Sequence, residues 1–143
     1  MMRNKVFLIP TITILSLIFV FGIYTYNTKS FAYWSIEIPS DFKKIYCTSI
    51  IGFHGDGWRY TVYKTKNNTH LAFIKGFKNY SDETIEELIL NNLRELNADV
   101  AYYPPIDKPY LWWVTSGEKY YDNQLIIIYS PNTNYYYFLE TYL

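Results

Sequence analysis

The sequence predicts an α+β protein. The expected architecture is an N-terminal transmembrane helix followed by a small antiparallel sheet of about seven strands packed with one amphipathic helix, in the order ββββ-α-βββ. Three observations carry this. Residues 6–28 hold no charge and are dense in Ile, Leu, Phe and Val as far as Tyr24. Runs rich in β-branched and aromatic residues, broken by Gly, Pro and Asn, recur on both sides of residue 81. Between them, only 81–97 carries apolar residues at helical spacing.

The apolar run comes first. A membrane-spanning helix needs about 20 apolar residues to cross a hydrocarbon core of about 30 Å. Residues 6–24 meet that length, and Pro10 falls in the first turns, where a helix tolerates it best. Arg3 and Lys5 precede the run and Lys29 closely follows it. The positive-inside rule therefore puts the N-terminus in the cytoplasm and the rest outside. Cleavage and secretion is the alternative. A signal peptide, however, has a shorter apolar core of about 7–15 residues and an A-x-A-like site. The nearest such site here is Ser30-Phe31-Ala32. The expected organisation is an uncleaved anchor with a short linker over 1–29, embedded in the bilayer through 6–24, and one extracytoplasmic domain over 30–143.

Charge follows the same division. The 13 basic and 13 acidic residues cancel over the 143-residue chain. Residues 1–29 nevertheless carry +3 and residues 30–143 carry −3. A mildly acidic outer domain does not draw nucleic acid by charge. Only Cys47 is present, which excludes an internal disulfide framework and any multi-cysteine zinc site.

Residues 33–38 alternate polar and apolar and read as a first strand, stopped by Pro39-Ser40-Asp41. Residues 45–53, 58–65 and 69–75 supply three more, the last two joined by an Asn67-Asn68 turn. Ser81 is the expected N-cap of the helix, with Asp82 and Glu83 in its first turn and Tyr80 and Ile85 as a hydrophobic staple. Ile85, Leu88, Ile89, Leu93 and Leu96 form its apolar stripe. Tyr102-Tyr103-Pro104-Pro105 then interrupts regular structure. Residues 111–115, 125–129 and 135–142 read as the last three strands.

Few residues suggest chemistry. In Phe53-His54-Gly55-Asp56-Gly57-Trp58, His54 and Asp56 could act as a base and its orienting acid, or as metal ligands. The glycines are also what a hairpin turn needs. This stretch resembles one in small uncharacterised bacterial proteins that carry an FHGDG segment behind an N-terminal hydrophobic segment. The resemblance implies a single envelope-facing domain and no activity. His70 has no acidic neighbour and reads as solvated, and Cys47 in a strand reads as buried filler. There is no Gly-x-Ser-x-Gly elbow. No cofactor and no metal site are expected.

The aromatic excess points to binding: 17 Tyr, 9 Phe and 4 Trp. Adjacent aromatics on a strand face opposite sides, so a sheet covered on one side exposes one of each pair. Trp112, Trp113, Tyr102, Tyr103, Tyr120 and Tyr121 are the candidate contact residues. The expected function is a membrane-anchored extracytoplasmic domain presenting an aromatic-rich sheet to a protein or glycan partner at the envelope. Two alternatives stand beside it. One is an immunity or inhibitor protein against an envelope-acting toxin or hydrolase. The other is a metal-dependent or hydrolytic enzyme centred on His54 and Asp56.

Overall fold

A computed structural model describes residues 32–66, 73–116 and 123–143. Contacts divide the chain into two units, Met1–Glu37 and Ile38–Leu143. The apolar run at 6–24 lies outside the described residues, as do His70, Tyr120 and Tyr121. Among the described residues, no helix is long and apolar enough to cross a membrane.

In the first unit, Ala32–Trp34 forms one 3-10 turn, with the Tyr33 and Trp34 rings edge to face at 4.9 Å. The strand expected at 33–38 does not form. Ser35 takes φ 53, which no extended strand accommodates.

The second unit is one antiparallel sheet with a helix on one face. β1 (Lys43–Ile51) and β2 (Gly57–Lys64) precede helix α1 (Glu83–Glu95). β3 (Leu111–Ser116), β4 (Gln124–Ser130) and β5 (Tyr135–Tyr142) follow it. The sheet order is β1-β2-β5-β4-β3, with every neighbour antiparallel. The antiparallel α+β class therefore holds. The expected seven strands in the order ββββ-α-βββ are corrected to five, in the order ββ-α-βββ. Besides 33–38, the strand expected at 69–75 is missing from its described part: residues 73–75 form no strand, and an isolated bridge follows only at Lys78. Gly76, at φ 92, breaks the extended backbone there.

Helix α1 starts one residue later than expected. Asp82, with extended backbone, is the N-cap, and its carboxylate accepts from the Thr84 and Ile85 amides at 3.1 and 3.3 Å. Moving the cap from Ser81 to Asp82 takes Tyr80 and Ile85 out of the staple positions. Tyr80 instead sets its ring edge to face with Trp112 at 5.8 Å. The helix buries Ile89 and Leu93, and Leu96 follows at its C-cap. These pack on Tyr60, Val62, Trp112, Ile126, Ile128, Tyr137 and Leu139, which the register aligns on one face of the sheet. Each fully buried Leu or Ile contributes roughly 1.5–3 kcal/mol, so this face is a substantial source of stability in the unit.

The opposite face is buried as well. Leu125, Ile127, Tyr129, Tyr136, Phe138 and Glu140 are all inaccessible. Phe42 and Phe73 pack on Tyr136 there, at 4.7 and 5.5 Å between ring centres. The central strands β4 and β5 are thus covered on both sides, against the expectation of one covered face. Many tyrosine hydroxyls reach polar partners beyond the apolar layer. Tyr60 donates to the Tyr102 carbonyl at 2.6 Å, and the Tyr46 hydroxyl accepts from the Asp99 amide at 2.9 Å while its ring stacks on Tyr102. At these positions the fold buries the ring while satisfying the hydroxyl. The hydroxyl of Tyr136, on the other face, is buried without such a partner among the described residues.

Candidate functional site

The β1–β2 connection is a three-residue hairpin loop. The Gly55 amide donates to the Gly52 carbonyl at 3.0 Å, closing a turn, and the Gly52 amide donates to the Asp56 carbonyl at 2.6 Å. Gly55 takes φ 89 and Gly57 φ 132. This is a turn followed by a left-handed glycine, one of the common ways to close a short antiparallel loop. A side chain at Gly57 would bring its Cβ within 2.0 Å of the Ile50 carbonyl oxygen. The glycines therefore serve the backbone.

The loop holds Phe53 fully exposed, 100% accessible, with its ring edge to face with His54 at 5.5 Å. Ile50 (48%) and Ile51 (37%), at the end of β1, add to it. Ile50, Ile51 and Phe53 lie within four residues of one another, with Ile50 and Ile51 on opposite faces of the strand, whereas the other large exposed apolar residues among those described (Tyr33, Tyr80, Val100 and Leu143) are scattered along the chain.

His54 and Asp56 are both exposed beside that tip. No hydrogen bond among the described residues joins them, and the Asp56 carboxylate sits over Gly52 instead. Among the described residues, no group of three His, Cys, Asp or Glu side chains is placed to hold a metal ion. Cys47 is exposed on β1, with its Sγ 3.5 Å from Thr61 Oγ1. An outermost strand has a neighbour on one side only, so the expected burial of this thiol does not occur.

The candidate aromatics separate clearly. Trp112 is buried, and its Nε1 donates to the Tyr80 carbonyl at 2.8 Å. Trp113, next on the strand, faces the other side and is half-buried. Tyr102 and Tyr103 are half-buried against the core. Among these candidates, Trp112 offers a partner no surface, and the others offer partial edges.

One polar group was not legible as a cluster. Glu140 is buried on the second face, with the Arg59 guanidinium 3.9 Å away across the β2–β5 pairing and the Tyr142 hydroxyl donating to it. The register pairs Arg59 with Glu140 directly. The available signal is a single charged residue inside the aromatic-rich run 135–142. A buried, paired charge of this kind is a structural contact between strands.

The geometry thus defines a small antiparallel α+β domain with a tyrosine-rich interior and an exposed apolar hairpin tip. No protein-family model, curated protein or solved structure matches the chain.

Proposed function

We propose that the protein is a membrane-anchored interaction domain, held by residues 6–24, that meets a protein or cell-envelope partner outside the cell through its β1–β2 hairpin. The observation that carries this reading is Phe53. This phenylalanine is kept fully in water on a loop closed by its own backbone bonds, so the core gains no burial from it. Exposed apolar groups clustered in one place are characteristic of contact surfaces, and large aromatics anchor such contacts. The binding role predicted from aromatic content is retained, with its surface moved from Trp112 to the hairpin. The acidic balance of residues 30–143 speaks against a nucleic-acid partner.

The test uses the full-length chain in intact cells, with a photo-crosslinking phenylalanine analogue at position 53 or, for comparison, at Val100. Val100 is also an exposed apolar position (77%) but lies away from the hairpin. A discrete adduct from position 53 that position 100 does not give supports the reading. Equal labelling from both positions would sink it. Topology is read separately by adding protease outside the cell to a C-terminally tagged copy. Full-size, membrane-bound and cleavable protein supports the anchored form, a shorter product in the medium replaces it with a secreted one, and protection from protease overturns the outward placement.

A further inference from the structure

The two edges of the sheet are treated differently. On β3, the backbone of Lys78 closes the outer edge at Trp112: each amide donates to the other residue's carbonyl, at 2.8 and 2.9 Å. On β1, only β2 pairs with the strand, and the outer edge is open as far as the described residues go.

The direction of each β1 peptide group follows from bonds already described. Gly52 and Asp56 form the closing bonded pair of the hairpin. Bonded and non-bonded pairs alternate along an antiparallel ladder. Ile50, Thr48 and Tyr46, opposite Trp58, Tyr60 and Val62, therefore direct their amides and carbonyls toward β2. Cys47, Ser49 and Ile51 direct theirs outward, and all three residues are exposed. The bond from the Thr65 amide to the Asn134 carbonyl at 3.0 Å fixes the same alternation from the far side of β2.

Only half of this edge is guarded. Lys43, Lys44 and the irregularity between Lys44 and Tyr46 protect its start, since charge and bulges both discourage edge pairing. Cys47–Ile51 has no charge, no proline and no bulge.

The geometry points to a second copy of this chain as the occupant: β1 pairs antiparallel with β1 of the partner about a two-fold axis at Ser49. In this register Ser49 faces its own counterpart, Thr48 faces Ile50 of the partner subunit, and Cys47 faces Ile51 of the partner subunit. The three outward residues on each strand then exchange about six hydrogen bonds. Exposed Ile50 and Ile51 gain neighbours across the strand pair, and no like charges stand opposite each other. A register centred on Cys47 is worse, because it brings the irregular Ile45 opposite Ser49. One strand that complements itself satisfies a two-fold interface without a second surface, which favours a copy of this chain over an unrelated strand. The edge groups lie on β1 itself, whereas Phe53 lies beyond its end, opposite Ile45 of the partner subunit in this register, so the mass of an adduct from position 53 separates a second copy from another protein.

The test uses the full-length chain in detergent. Sedimentation is expected to give a dimer that Ser49→Lys, which sets like charges opposite each other, converts to monomer with unchanged circular dichroism. Ser49→Pro acts likewise, because the amide it removes points out of the sheet. A register test adds copper phenanthroline to oxidise thiols. With Ser49→Cys in a Cys47→Ser background, the paired Cα atoms stand about 5.5 Å apart and a disulfide-linked dimer is expected. Native Cys47 is offset from its counterpart by about 14 Å along the strand and stays unlinked. A monomeric native chain, a dimer that resists both Ser49 changes, or faster linking through Cys47 than through Cys at 49 each overturns the proposal.

Discussion

Lys78 and Trp112 hold the β3 side of the sheet shut twice over: their backbones exchange two hydrogen bonds, and the Lys78 ammonium sits 4.2 Å from the Trp112 ring centre. Trp112 is buried beneath it and donates from Nε1 to Tyr80. The indole thus ties the segment before α1 to the sheet. Trp112→Phe removes the donor while keeping most of the packing, and is expected to cost about 1–2 kcal/mol. Lys78→Met keeps both backbone bonds and loses only the cation over the ring, for about 0.5–1 kcal/mol at this exposed site. Urea midpoints of the two variants check the order. A larger loss from Lys78→Met would mean that the ring contact outweighs the buried hydrogen bond.

The start of α1 gives a second expectation. Asp82 accepts from two helix amides, and Ser81 has no such role. Asp82→Ala should cost about 1 kcal/mol. Ser81→Ala should stay within about 0.5 kcal/mol, as for an ordinary surface change. Thermal melts of both variants would show the reverse order if Ser81 were the cap.

The helix is legible because its stripe from Ile85 to Leu96 repeats at helical spacing, while its cap is ambiguous because Ser81 and Asp82 are adjacent and equally suitable oxygen acceptors. Only the backbone angle at Asp82 separates them. The strands with a strong signal, 45–53, 58–65, 111–115, 125–129 and 135–142, correspond to the five that form. The failure at 33–38 arose because alternation in sequence cannot reveal that Ser35 turns left-handed. The burial of both sheet faces has a signal in the sequence. Leu125-Ile126-Ile127-Ile128 is a continuous apolar run without alternation, the mark of a strand covered on both sides. At the site, the hairpin turn was legible from its glycines. The prominence of Phe53 was not, because exposure depends on what the rest of the fold leaves uncovered.

The hairpin separates backbone roles from side-chain roles. Gly57→Ala forces a Cβ against the Ile50 carbonyl at a left-handed φ and should cost upward of about 3 kcal/mol. Gly55→Ala meets no atoms and pays only for its positive φ, about 1 kcal/mol. His54→Ala and Phe53→Ser, both at exposed side chains, should change stability by less than about 0.5 kcal/mol. Phe53→Ser therefore leaves a folded protein in which loss of partner contact can be read cleanly. A large fall in its melting temperature would show that Phe53 serves the fold instead.

The buried phenols make stability fall in alkali. Burial first, and then donation to the Glu86 carboxylate, pushes the Tyr110 phenol up to about 12. Burial, reinforced by Cys47 and Glu140 and opposed by Arg59, pushes Tyr63 to about 12. Burial also raises Tyr60 and Tyr136. An unfolded tyrosine loses its proton near pH 10, so between about pH 10 and 12 the folded chain binds more protons than the unfolded one. Stability contributed by these phenols is therefore complete below pH 10 and lost as the pH rises through their folded values. Each such tyrosine steepens the fall by up to about 1.4 kcal/mol per pH unit. Melting temperatures at pH 9, 10 and 11 should drop progressively, and Tyr110→Phe, which has no proton to lose, should drop less steeply between pH 10 and 11. Parallel curves for the native chain and Tyr110→Phe would show that this phenol does not resist ionisation in the folded state.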